Sequence, residues 1–145
     1  MGTAQSMLAT KNHALATLPP DASVLEAAKL MNDRHIGSVL VLQDGALVGI
    51  FTERDVMRRV VAAGRAPDAT PLAKVMTTPV ACAAPETTCD ELRKVMREKR
   101  IRHVPVIDGG SRAVLGMISI GDLNRAEIDV QVETIRYLEQ YMSVP

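Results

Sequence analysis

The stretch Val48-Gly49-Ile50-Phe51-Thr52-Glu53-Arg54-Asp55 recurs, 67 positions on, as Leu115-Gly116-Met117-Ile118-Ser119-Ile120-Gly121-Asp122. Each run joins an apolar, strand-like segment to a hydroxyl residue followed three places later by an aspartate. Working back from it, Pro20-Asp21-Ala22-Ser23-Val24-Leu25-Glu26, with Met31 and Ile36 behind it, returns 65 positions later as Pro85-Glu86-Thr87-Thr88-Cys89-Asp90-Glu91, with Met96 and Ile101. The two halves are copies of one supersecondary unit. A duplicated unit closing on Gly-x-x-Thr/Ser-x-x-Asp points to a paired binding module.

Local signals order the elements within each copy. Ala14-Leu15-Ala16-Thr17-Leu18 alternates like a short strand and stops at Pro19-Pro20, and Ser23 with Glu26 forms a capping box that starts a helix. That helix carries Val24, Ala27, Ala28, Leu30 and Met31 at helical spacing. Ile36 to Leu42 reads as a buried strand, Asp44-Gly45 as a hairpin turn of positive φ, and Ala46 to Phe51 as the returning strand. A second helix is expected from about Glu53 to Ala63, stopped by Gly64. The breaker-rich run Arg65-Ala66-Pro67-Asp68-Ala69-Thr70-Pro71 joins the copies.

The second copy repeats this order. A strand is expected near Val80 to Ala84, a capping box at Thr88/Glu91, a helix to Lys99, strands His103 to Ile107 and Val114 to Ile118 around Asp108-Gly109-Gly110, and a helix from Asp122. Two extra residues in this hairpin raise the offset from 65 to 67, at a loop tip where such changes are tolerated. The last helix runs on through Ile128, Val132, Ile135, Leu138 and Met142, an amphipathic length that needs a surface to cover. The expected fold class is α/β (α+β): two β-α-β-β-α units packed with pseudo-two-fold symmetry, plus a C-terminal amphipathic helix. The units span 8–64 and 79–125, with a linker at 65–78 and a helical tail at 126–145.

Composition narrows the function. The longest apolar runs, Val39 to Leu42 and Val104 to Ile107, are strand length, far below the roughly 18 residues of a membrane helix, so no membrane association is expected. Met1-Gly2-Thr3-Ala4-Gln5-Ser6 fits the loose myristoylation pattern, but no polybasic run follows to add a second anchoring signal, and no signal-peptide pattern is present. Net charge is zero and only three residues are aromatic, which removes both the basic field and the stacking rings of a generic nucleic-acid binder. Cys82 and Cys89, seven apart without a second pair, offer neither zinc spacing nor a disulfide framework. A reducing, cytoplasmic setting is expected. Of the histidines, His13 lies near the terminus, His35 precedes a strand, and none has a carboxylate or cysteine at dyad or ligand spacing, so no catalysis and no metal site is expected.

These residues resemble a tandem pair of cystathionine-β-synthase (CBS) domains, the arrangement called a Bateman module, over roughly Leu8 to Asn124. The carrying motifs are the two Gly-x-x-Thr/Ser-x-x-Asp endings, Val75-Met76-Thr77-Thr78-Pro79 before the second copy, and Arg100-Ile101-Arg102-His103-Val104-Pro105-Val106. The resemblance implies an adenosine nucleotide in the clefts between copies, its ribose hydroxyls held by the closing aspartate. A carboxylate in the first turn of a helix can accept from both hydroxyls of a ribose, while the preceding hydroxyl and free helix N–H groups favour anionic oxygens. Thr52 with Asp55 fits this role in a first cleft, and Ser119 with Asp122 in a second. The same spacing is also an ordinary helix start.

The clefts are expected to differ. In related modules, basic residues ahead of the middle-strand proline reach the phosphate. The matching positions here, which would complete the first cleft beside Arg54, are Arg100, Arg102 and His103. The reciprocal positions in the first copy include Gly37 and Ser38, so the second cleft, with Ser119, Asp122 and Ser38, lacks two cationic positions and is expected to be weaker, empty or tuned to less charged ligands. Arg93, Lys94 and Arg97 read as a solvated helix face. With so few aromatics, adenine is expected in a slot with aliphatic walls drawn from Ile36, Val80, Ile101 and Ile118, its selectivity carried by backbone groups near Thr17 to Pro19 and Thr78 to Val80. The resulting expectation is a regulatory sensor that binds AMP, ADP, ATP or an NAD-type ligand, has no catalytic cofactor, and acts as a homodimer on a partner enzyme or transporter. The alternative is a structural interaction module with degenerate clefts.

Overall fold

The computed structural model describes residues 2–11 and 15–142. His13, the start of the strand expected at Ala14, Met1 of the myristoylation pattern and the last residues of the tail lie outside the described residues. The elements are α1 (Ala4–Thr10), β1 (Thr17–Leu18), α2 (Val24–Arg34), β2 (Ser38–Gln43), β3 (Ala46–Thr52), α3 (Glu53–Asp55, continuing as a π-helix over Val56–Val61), α4 (Leu72–Val75), α5 (Cys89–Lys99), β4 (His103–Ile107), β5 (Val114–Ser119) and α6 (Ile120–Met142).

Both capping boxes close as the sequence dictates. The Glu26 N–H donates to Ser23 Oγ and the Ser23 N–H to Glu26 Oε2, each at 3.1 Å. Thr88 and Glu91 repeat the exchange at 3.1 Å. Two orphan helix donors are thereby satisfied at each start. The ends also match: His35 (φ 53°) caps α2 and Arg100 (φ 54°) caps α5, both left-handed without being glycine. Asp44 (φ 52°) and Gly45 (φ 82°) form the expected positive-φ hairpin turn.

β1 pairs parallel with β2, and β2 antiparallel with β3, in a three-stranded sheet; β4 and β5 form the second sheet. The registers are copies, Ser38 facing Thr52 in one hairpin and His103 facing Ser119 in the other. The strand expected near Val80 to Ala84 is reduced to one parallel bridge, Ala83 to Val106. Ala81, Ala83 and Ala84 have weak strand propensity and Pro85 cannot donate to a ladder, so pairing stops after the bonds from Ala83 N–H to Pro105 O (2.9 Å) and from Ile107 N–H to Ala83 O (2.8 Å).

Each copy has its own core. Val24, Met31, Val39, Phe51, Val60 and Leu72 are buried in the first; Leu92, Met96, Val104, Val106, Ile118 and Leu123 in the second. Each such large side chain contributes about 1.5–3 kcal/mol on burial. Segment 65–78, read as a linker, folds part of itself into the first core through Leu72 and Val75 of α4. α1, absent from the expected elements, crosses to the second copy, where Ala4 is fully buried and Met7 and Leu8 pack on the core.

These two short helices explain the motif glycines. A Cβ on Gly49 would stand 2.4 Å from Met76 Sδ, just after α4, and one on Gly116 would stand 2.5 Å from Leu8 Cδ2 in α1. In each copy the glycine leaves room for a side chain from the segment that precedes a repeat. From Arg125 onward α6 leaves the core, with Ile128, Val132, Ile135, Leu138 and Met142 all exposed.

Candidate functional site

A cleft of about 690 Å³ between the copies brings together Thr52, Arg54 and Asp55 of the first with Arg100, Arg102 and His103 of the second. All six residues expected in the first cleft therefore line one space, within the range of small-molecule sites. Thr52 ends β3 and caps α3, so Asp55 falls in the first turn. The Asp55 N–H donates to Thr52 Oγ1 at 3.3 Å, while Asp55 Oδ2 accepts from the Thr52 N–H at 3.0 Å and from its hydroxyl at 3.2 Å. One carboxylate oxygen is thus committed to the cap. The other, Oδ1, has longer contacts only, with Thr77 Oγ1 at 3.4 Å and Arg59 Nε at 3.5 Å, and it is the less committed acceptor of the two.

Sequence reasoning missed Arg58, Arg59 and Thr77. Arg58 and Thr77 line the cleft, while Arg59 pairs with Asp55 and donates to the Met76 carbonyl at 3.0 Å, tying α3 to the segment after α4. The i,i+4 spacing of Asp55 and Arg59 was the available signal. Arg54 donates to the carbonyl of Arg100 at 3.2 Å, bridging α3 to the end of α5. Burial pushes the His103 imidazole down from its ordinary value, opposed by the nearby Glu53 carboxylate. His103 is therefore neutral near pH 7, and the cleft's positive charge comes from its arginines and Lys99.

The second cleft, about 320 Å³, holds Ser38, Ser119 and Asp122 as expected, and His103 reaches it as well. Its charge balance differs from expectation, because Lys11 enters after α1. Lys11 Nζ meets Asp122 Oδ2 at 2.9 Å and also donates to the Met117 carbonyl. Burial raises the Asp122 carboxyl, but the hydrogen bond from Lys11, with the Ser119 N–H donating at 2.8 Å, outweighs it and holds the group below the usual carboxylate range. Asp122 Oδ2 is thus occupied from within the chain by both cap and cation. Lys11 gave no local signal, since its partner lies 111 positions away.

The aliphatic walls divide. Val80 and Ile101 line the first cleft and Ile36 the second, whereas Thr78 lines neither and Ile118 is fully buried in the second core. Strand alternation explains Ile118: its neighbours Met117 and Ser119 face the cleft, and Ile118 matches Phe51 on the opposite face. The matching cleft-facing residue in β3 is Ile50. Arg93 also departs from the solvated-face reading, donating to the Leu123 carbonyl at 2.6 Å and pairing with Glu127 at 3.3 Å to hold α6 on α5. Both cysteines are free, and among the described residues no cluster of His, Cys, Asp or Glu forms a metal site. No described helix is long and apolar enough to cross a membrane.

A duplicated unit with two aspartate-ended clefts defines a tandem module of paired domains. The chain belongs to the CBS domain family, whose family model matches residues 10–62 and 72–129. It is 35% identical over 127 residues to the mitochondrial CBS domain-containing protein CBSX3 of Arabidopsis thaliana, covering 84% of this chain and spanning 61% of that relative's length. A solved protein with CBS domains from Burkholderia ambifaria superposes with a TM-score of 0.84 at 37% identity, over 88% of this chain and 95% of its own. A CBS domain protein of Pyrobaculum aerophilum, solved in complex with AMP, shares the fold at 22% identity and a TM-score of 0.72, covering 83% of this chain and 88% of that one.

Proposed function

We propose that the first cleft binds an adenine nucleotide, AMP, ADP, ATP or an NAD-type ligand, and that occupancy regulates a partner. The observation that carries this reading is the convergence of a ribose-type acceptor, Asp55 Oδ1, with Arg100 and Arg102 from the opposite copy. Arginine suits phosphate because its forked donors stay charged. The AMP complex of the Pyrobaculum aerophilum protein supports the choice of ligand class. The reading assigns a regulatory role, no catalytic step and a cytoplasmic setting. A ligand can change the output only by binding two shapes of the module unequally.

The second cleft is the weaker site, because a ligand there must displace Lys11 from Asp122. The exposed apolar face of α6 is assigned to a second copy of the chain, giving a homodimer that presents the module to a partner enzyme or transporter. That face also favours the alternative reading, an interaction module whose clefts no longer bind ligand. Isothermal titration of nucleotide-stripped protein with AMP, ADP, ATP, NAD and S-adenosylmethionine separates the two. Saturable binding near one site per chain supports the sensor; no heat across the panel leaves the interaction module.

A further inference from the structure

Beside the first cleft runs a shallower groove of about 500 Å³, walled by Arg54, Arg93, Arg97, Arg100 and Arg102 over a floor of Met96, Ile101 and Ile120. No acidic side chain lines it among the described residues; Glu127 meets Arg93 only at its rim, with more than half its side chain exposed. Arg54, Arg100, Ile101 and Arg102 line both the groove and the cleft, so the two spaces adjoin. Arg97, Arg100 and Arg102 have no ion-pair partner among the described residues.

The duplication supplies an internal control for whether the fold needs these arginines. At the matching offsets, Arg93, Arg97, Arg100 and Arg102 correspond to Ala28, Asn32, His35 and Gly37, and Arg54 to Gly121. The reciprocal junction, α2 of the first copy against the start of α6, is built with none of the five charges. With Arg93 paired to Glu127, the other four guanidinium groups around the groove repel one another, and an anion filling it would relieve that repulsion. A monophosphate on the ribose held at Asp55 accounts for the cleft-lining arginines and leaves Arg97, which lines only the groove, without a role.

We infer that the groove receives the distal phosphates of a nucleoside triphosphate whose ribose and first phosphate occupy the cleft. The inference rests on the nucleotide reading above and selects the polyphosphate member of that class. Each added phosphate brings strong acceptor oxygens that arginines bind with charge-assisted hydrogen bonds.

The test is isothermal titration of the full chain with AMP and ATP in EDTA buffer, for wild type and Arg97→Glu. Arg97 is exposed, so the reversal leaves the fold intact. Wild type is expected to bind ATP about tenfold more tightly than AMP, the gain from one charge-assisted contact set. Arg97→Glu should bring ATP down to parity while AMP stays within about twofold, as remote surface charges act weakly. Equal wild-type affinities, or equal losses for both ligands in the variant, overturn the groove assignment while the nucleotide reading stands. If neither nucleotide binds, both fall, and capture of an acidic peptide such as polyglutamate would then identify the groove as a protein-docking strip.

Discussion

Replacing Asp55 by asparagine separates the two jobs this side chain holds. Its Oδ2 closes the cap with the Thr52 N–H at 3.0 Å, and an amide oxygen can take that place. The amide NH₂ then stands where Oδ1 was, turning an acceptor into a donor that faces Arg59, formerly 3.5 Å from that oxygen. Stability should fall by only about 1 kcal/mol, because the cap survives and the Arg59 pair is half exposed on the arginine side. Affinity should fall more, by about 2 kcal/mol or roughly thirtyfold, since hydrogen bonds to a charged partner are worth about 1.5–3 kcal/mol. The assay is a cycle of titrations, wild type and Asp55→Asn against AMP and 2′,3′-dideoxy-AMP. If Oδ1 holds the ribose, either change alone removes the interaction and the second adds almost nothing, so the coupling energy approaches the full loss. Two losses that simply add, or an unchanged variant, would refute the assignment.

Other consequences concern separate parts of the molecule. The depressed Asp122 carboxyl stabilises the fold above the ordinary carboxylate range, and that contribution is lost as pH falls through its lower folded value. Thermal melts of wild type and Lys11→Met should therefore differ by a constant margin well above the ordinary carboxylate value of about 4 and converge as pH falls below it. Arg100→Gly should raise unfolding free energy in urea by about 1 kcal/mol by relieving the left-handed cap at φ 54°, while weakening nucleotide binding through loss of its guanidinium. Leu123→Ala, a fully buried site joining α6 to the second core, should cost about 2–5 kcal/mol in the same assay. Ile135→Asp with Leu138→Asp should shift the mass in light scattering from two chains to one, and an unchanged mass would remove α6 from the interface.

What the sequence made legible was local. The capping boxes at Ser23 and Thr88, the Asp44-Gly45 turn and the repeated Thr/Ser-x-x-Asp all encode geometry within three or four residues, and the structure places each as read. The resemblance to tandem CBS domains then carried that legibility to the site, because it implied that Arg100 and Arg102 share a cleft with the other copy's aspartate, and all three line one space. What escaped was set by distant contacts. α1 has too few apolar residues to announce itself, and Ala4, Met7 and Leu8 become core only against the second copy. Lys11 reaches a partner more than a hundred residues away. Ile118 failed by parity: a strand buried on one face and facing a cleft on the other needs its register before its lining is known.

The central claim is that adenosine nucleotide sits between Asp55 and the second copy's arginines, and a crystal structure of the chain grown with AMP tests it most directly. The account predicts density in the first cleft, both ribose hydroxyls on Asp55 Oδ1 and phosphate toward Arg100 and Arg102. Nucleotide found only beside Asp122, with Lys11 displaced and the first cleft empty at saturating AMP, would contradict it.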